Sequence, residues 1–178
     1  MLIKTVFSGF GGQGVIMMGY LLAMAGMYEE KYVTCLPSYG AEVRGGTANC
    51  TVVISSEEIA SPVASEPEFA VLMNNPSLFR YQNQVQSGGT IFLNSSMIES
   101  RPVRGDLEVY EIPVNDLAKQ FPGNKVSNMI MLGAFIKKTG LVSLDTMTHV
   151  IKETFGSKNP EIIKFNKSAL QLGFAYLE

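Results

Sequence analysis

Seven residues near the N-terminus, Ser8-Gly9-Phe10-Gly11-Gly12-Gln13-Gly14, restrict what this chain can fold into more than any other stretch. They follow a short strand-like run, Leu2 to Phe7, and lead into an uncharged apolar segment, Val15 to Tyr28. Strand, glycine turn and helix in that order are the context in which a G-x-G-x-x-G spacing has structural meaning, and Gly9, Gly11 and Gly14 hold its three positions. Glycine permits positive φ in so tight a turn and lets another group approach the backbone. The helix beyond aims free N–H groups and the positive end of its dipole at the turn, which suits an anion. Three uses stay open: the turn binds a ligand, docks a partner, or only reverses the chain.

The segment after the turn predicts a buried helix. Val15, Met18, Gly19, Leu22 and Gly26 make one apolar stripe, Ile16, Tyr20, Ala23 and Met27 a second, and Met17, Leu21 and Met24 a third. A helix apolar all round is buried on more than one side. In a lone three-layer domain its outer face would be wet, so another subunit is the expected cover. Ten Met and a charged fraction of only 17% point the same way, toward a subunit of a larger assembly. The apolar run is shorter than the ~20 residues a membrane-spanning helix needs.

Down the chain, strands are expected at Lys31 to Leu36, Thr47 to Ser55, Phe69 to Met73, Thr90 to Leu93 and Leu107 to Val114. Ser77 is read as the cap of a short helix running to about Gln86. Helices are expected at Asn115 to Gln120, at Val126 to Thr139, after the Ser143 cap, and after the Asn159-Pro160-Glu161 start signal. Strands and helices alternate first and helices dominate the end. The 178 residues therefore read as a single α/β three-layer domain, 1–178, with a mostly parallel sheet and a helical C-terminal part.

A second unusual stretch is Pro37-Ser38-Tyr39-Gly40-Ala41-Glu42-Val43-Arg44-Gly45-Gly46. In a parallel sheet the loop after the second strand lies at the same sheet edge as the glycine turn. Glu42 and Arg44 are two apart and share a side of an extended segment. Glycine backbone, Tyr39, Glu42 and Arg44 can thus form one surface, a binding site or a docking face. Gln13 can donate and accept, and is read either as a structural bond or as a ligand contact.

Several function classes find no support. A dinucleotide fold places an acid about 20 residues beyond the glycines for the ribose. Here the second strand ends in Cys35-Leu36-Pro37-Ser38, with Glu42 well into the loop. No Walker-type G-x-x-x-x-G-K-[ST] occurs, and no Ser/His/acid constellation is legible. Cys35 and Cys50 lack C-x-x-C neighbours, so the chain carries no iron–sulfur or zinc signature. Both are read as small buried hydrophobes, and the lone His149 as a surface or packed residue. The net charge of −2 gives no reason to expect nucleic acid or an anionic membrane as a partner. No secretory cleavage site follows Lys4, and reduced thiols fit a cytoplasmic location.

The paired stretches Gly9-Phe10-Gly11-Gly12-Gln13-Gly14 and Pro37 to Gly46 resemble the gamma subunit of 2-oxoacid:ferredoxin oxidoreductases, the gamma domain of fused members. The resemblance continues through Ser61-Pro62 and Asn128-Met129-Ile130-Met131-Leu132-Gly133 to Asn166, Ala169 and Gly173, covering essentially the whole chain. It implies a Rossmann-like fold and membership in a complex that converts a 2-oxoacid and coenzyme A to acyl-CoA and carbon dioxide while reducing ferredoxin. It implies thiamine diphosphate, magnesium and an iron–sulfur cluster in that complex, held by alpha, beta and delta units, with a structural role and no catalytic centre for this chain. The candidate residues for cofactor contact or subunit docking are those of the two stretches themselves: Gly9, Gly11, Gly12, Gln13, Gly14, Ser38, Tyr39, Gly40, Glu42, Arg44, Gly45 and Gly46. A 2-oxoglutarate or branched-chain enzyme is the expected subgroup. The alternatives are a free-standing NAD- or FAD-binding module and a ligand-free interaction protein.

Overall fold

The computed structural model describes residues 1–40, 47–63, 65–156 and 160–177. Glu42, Arg44, Gly45 and Gly46, and the expected helix cap Asn159, lie outside the described residues. Among the described residues, six strands form one sheet: β1 (Leu2–Phe10), β2 (Tyr32–Tyr39), β3 (Thr47–Ser55), β4 (Phe69–Leu72), β5 (Thr90–Asn94) and β6 (Glu108–Ile112). Six α-helices accompany them: α1 (Val15–Tyr28), α2 (Asn75–Tyr81), α3 (Val114–Ala118), α4 (Ser127–Thr139), α5 (Leu144–Phe155) and α6 (Pro160–Tyr176).

The sheet order is β2-β3-β1-β4-β5-β6. β1, β4, β5 and β6 are mutually parallel, and β3 runs antiparallel to both β1 and β2. Five strands therefore share one direction, as expected, but a hairpin puts β3 between the first two strands. The composition explains which arm goes inside. β3 buries Ala48, Cys50, Val52, Val53 and Ile54. β2 leaves Tyr32, Leu36 and Tyr39 exposed and contains Pro37, which has no N–H for a ladder and suits an edge strand.

Two boundaries shift for a related reason. β1 runs to Phe10 rather than Phe7 because Ser8, Gly9 and Phe10 pair with Asn49, Ala48 and Thr47 of β3. β2 runs to Tyr39 rather than Leu36 because Pro37, Ser38 and Tyr39 pair with Cys50, Asn49 and Ala48. The cap of α2 is Asn74, whose side chain accepts the Ser77 N–H at 2.9 Å. Ser77, expected as the cap, sits inside the helix because Asn74-Asn75-Pro76 already supplies cap and N-terminal proline.

The main core lies between one sheet face and α1, α4, α5 and α6. Phe135 of α4 sets its ring edge-on against Phe7, Phe69 and Phe92, with centroids 5.6, 5.8 and 5.3 Å away. A smaller core on the other face packs Val6, Leu72, Ile91 and Leu93 under Leu78 and Tyr81 of α2. The three layers are thus unequal in depth.

α1 lies close on the hairpin because a Cβ at Gly19 would stand 2.4 Å from the Cys50 sulfur. α4 and α6 cross closer still. A Cβ at Gly133 would stand 2.0 Å from the Leu170 carbonyl oxygen, and one at Gly173 1.8 Å from the Ile130 carbonyl oxygen. The backbones touch, so Gly173→Ala must push the helices apart. We expect it to lower unfolding stability by about 1–3 kcal/mol, the usual cost of overpacking. Gly105→Ala, which meets no atom within 4 Å, should change it by less than about 0.5 kcal/mol. Urea denaturation of both variants checks this; equal midpoints would contradict the contact.

Candidate functional site

The glycine turn leaves the end of β1 and reverses into α1 through two left-handed residues, Gly12 at φ 98° and Gly14 at φ 74°. Only glycine takes such angles without strain. Gly14 is the N-cap of α1, and a Cβ there would also strike the Asn128 side chain at 2.3 Å. Gly9 is buried at the close of β1, where a Cβ would stand 2.6 Å from Gln13 Oε1. Gly11 and Gly12 face solvent.

Gln13 is the structural staple of this turn. Its Oε1 accepts the Phe10 N–H at 2.7 Å and Asn74 Nδ2 at 3.2 Å, and its Nε2 donates to the Met73 carbonyl at 3.1 Å. The same carbonyl accepts Asn94 Nδ2 at 3.3 Å, and Asn94 Nδ2 donates to Asn115 Oδ1 at 2.8 Å. An amide network therefore crosses the C-terminal ends of β1, β4 and β5. Of the two readings open for Gln13, the structural bond is the one its partners satisfy.

Beside this network is a cleft of about 400 Å³, lined by Gly12, Gln13, Gly14, Met73, Asn115, Lys125, Ser127 and Asn128. The N-termini of α1 and α4 both open here, and neither N-cap residue, Gly14 or Val126, supplies a side-chain cap. The lining holds one cation, four amide or hydroxyl side chains and no carboxylate. Such a set is chemically suited to an anionic or oxygen-rich group and contains no general base or acid pair. Asn115, Lys125, Ser127 and Asn128 were not singled out as site residues from the sequence. The available signal is an asparagine at or just beyond the C-terminal ends of β4, β5 and β6 (Asn74, Asn94, Asn115), the sheet edge where α/β folds bind ligands.

On the other side of the turn, Tyr39 meets it. A shallow recess of about 260 Å³ is lined by Phe10, Gly11, Gly12, Gly14, Val15, Ile16, Tyr39 and Ala48. Tyr39 is 74% exposed, and along α1 the outer positions Tyr20 and Met27 are exposed too, at 45% and 60%. The structure therefore joins the glycine turn to Tyr39. Ser38, one residue earlier on β2, projects to the opposite sheet face, and Gly40 donates its N–H to the Thr47 carbonyl at 2.8 Å. His149 is a surface residue, edge-on to Tyr28 at 5.1 Å between centroids.

Residues 4–176 match the pyruvate ferredoxin/flavodoxin oxidoreductase family. The chain belongs to that family. It is 35% identical over 173 residues to the ketoisovalerate oxidoreductase subunit VorA of Methanothermobacter thermautotrophicus, covering 96% of this chain and 35% of that one. It is 34% identical over 167 residues to the 2-oxoglutarate synthase subunit KorC of Methanothermobacter marburgensis, covering 89% of this chain and 90% of that one. The chain thus spans about a third of the first relative and nearly all of the second. The gamma subunit of a keto/oxoacid ferredoxin oxidoreductase from Geobacter sulfurreducens has the same fold, with TM-score 0.83, 26% identity and 98% of each chain covered. These matches agree with the gamma-type resemblance and do not favour a free-standing dinucleotide module. Among the described residues no helix is long and apolar enough to cross a membrane.

Gln13→Ala removes the side-chain acceptor of the Phe10 N–H and one of two donors to the Met73 carbonyl. We expect a loss of about 1–3 kcal/mol in unfolding stability, the cost of an unmet part-buried polar group. Chemical denaturation measures it. A wild-type midpoint would show that the staple carries no stability.

Proposed function

We propose that the chain is the gamma unit of a thiamine-diphosphate-dependent 2-oxoacid:ferredoxin oxidoreductase, acting in the cytoplasm. The complex carries out oxidative decarboxylation of a 2-oxoacid to an acyl-CoA with reduction of ferredoxin. The observation that carries this reading is co-extension: the family match runs over residues 4–176, and the 2-oxoglutarate synthase subunit is covered over 90% of its length. A 2-oxoglutarate or branched-chain 2-oxoacid is the proposed substrate class, in keeping with the names of those two relatives. Thiamine diphosphate, magnesium and the iron–sulfur cluster belong to the alpha, beta and delta partners, and this chain has an assembly role.

Two surfaces divide that role. The Tyr39 recess and the outer stripe of α1, Ile16, Tyr20 and Met27, are apolar and open, and support docking against a partner subunit. The Lys125 cleft, cationic and rich in donors, supports contact with an anionic part of coenzyme A beside the glycine turn. Glu42, Arg44, Gly45 and Gly46 are proposed to extend the docking surface from the loop between β2 and β3.

Affinity purification of the tagged chain from its native cell tests the assembly. The expected result is a thiamine-binding partner in stoichiometric amount; a chain that runs alone would overturn the proposal. In the reconstituted complex, Tyr20→Glu should weaken assembly by about 2 kcal/mol, roughly thirtyfold, as for a buried aromatic anchor. Lys125→Glu should leave assembly intact and raise the KM for coenzyme A about tenfold or more, the effect of reversing a charge at an anion. An unchanged KM would remove the cleft from the coenzyme path.

A further inference from the structure

Cys35 and Cys50 do not have the separate surroundings that two isolated thiols in sequence suggest. They lie on the adjacent strands β2 and β3 and both side chains face α1, with their sulfurs 3.4 Å apart. Cys50 is fully buried, and Cys35 is only half-buried at the edge of the sheet. One sulfur is thus open to a small reagent and the other stands behind it. Either sulfur can donate in this contact. The hydrogen bond from Cys50 lowers the Cys35 thiol below its ordinary range, and the same bond together with burial raises Cys50. The less buried sulfur is therefore the one placed to react first.

The sulfurs are already near bonding distance. A disulfide brings them to about 2.05 Å, so from 3.4 Å they must approach by about 1.4 Å. Above Cys50 lies Gly19, whose missing side chain leaves the inner sulfur room beneath α1. The register sets Cys35 opposite Val52 and Cys50 opposite Pro37, a diagonal pair on one face of a hairpin.

We propose that Cys35 and Cys50 form a redox-modification site, a dithiol that a hydroperoxide converts to an intramolecular disulfide. The Cys35 thiolate attacks one peroxide oxygen, an S–O bond forms as the O–O bond breaks, and the leaving oxygen takes a proton as water or alcohol. The buried Cys50 sulfur then attacks the sulfenic Cys35 sulfur. An S–S bond forms, the S–O bond breaks, and the departing hydroxide takes the Cys50 proton as water. Two thiols and one peroxide bond are consumed; the sulfurs are oxidised and the peroxide is reduced. A thiol reductant restores the pair. The cross-link fixes β2 to β3 directly under α1, the helix whose N-terminus bounds the glycine-turn cleft and whose outer face carries Tyr20 and Met27.

The test uses the whole chain, reduced and then treated with hydrogen peroxide in modest excess. After alkylation and digestion, the expected product is a cross-linked peptide pair holding Cys35 and Cys50, lighter by two hydrogens and restored by dithiothreitol. Cys50→Ser should stop at a Cys35 sulfenic acid that dimedone traps, and Cys35→Ser should slow loss of the remaining thiol tenfold or more. The proposal fails if both wild-type thiols stay alkylatable under conditions that oxidise glutathione. It fails equally if the only products are intermolecular dimers, or if Cys50→Ser yields no trapped sulfenic acid while folding normally by circular dichroism.

Discussion

The geometry of this chain depends on how the backbone leaves β1. Two left-handed glycines, Gly12 and Gly14, make a turn too tight for side chains, and Gln13 between them fastens it to β4. The staple does more than close a turn. It fixes the angle at which α1 departs, and α1 then covers β3 and β2 at a separation that Gly19 and Gly26 permit. It also sets the Met73 carbonyl, to which Asn94 of β5 bonds in turn. Strand ends that have no covalent link near this edge are thereby held in one arrangement.

Small residues play a comparable part at the opposite end of the main core. Gly133 and Gly173 let α4 and α6 meet backbone to backbone, which presses Phe135 into the phenyl cluster of β1, β4 and β5. Close approach raises the number of van der Waals contacts without adding bulk, and makes the contact intolerant of even one methyl group. The same helix that is held at its middle by this crossing begins at the cleft beside the glycine turn.

The sequence made the elements legible where one signal dominated. α1 begins and ends at Val15 and Tyr28 as the apolar run does, and α5 follows its Ser143 cap, whose hydroxyl accepts the Thr146 N–H. Strand order was not legible, because alternation and β-branched content say that a segment pairs but not with which neighbour. The insertion of β3 beside β1 depends on relative burial of two arms of a hairpin, a property of the assembled sheet. At the site, the glycines and Tyr39 stood out through composition. Lys125 and Asn128 did not, since an isolated Lys and Asn before a helix resemble any solvated loop until the fold carries them to Gly14. The cysteine contact was hidden in the same way: fifteen residues separate Cys35 from Cys50 in the chain, and only the hairpin register removes that distance.

The strand insertion also explains why a glycine turn of dinucleotide spacing need not serve a dinucleotide. In that fold the strand beside β1 runs parallel to it, and its C-terminal end brings an acid to the ribose next to the turn. Here the neighbour of β1 on that side is β3, which is antiparallel and presents its beginning, Thr47 and Ala48, opposite Phe10 and Gly9. The end of β2 is displaced by one more strand, about 5 Å further from the turn. What reaches the turn from β2 is Tyr39, an aromatic, and what fills the place of a ribose anchor is an apolar recess against Ile16. On its other side the turn faces Lys125 and the start of α4. The same backbone motif thus lacks the polar partner that would select a nucleotide, and its second side is an apolar recess that water covers poorly.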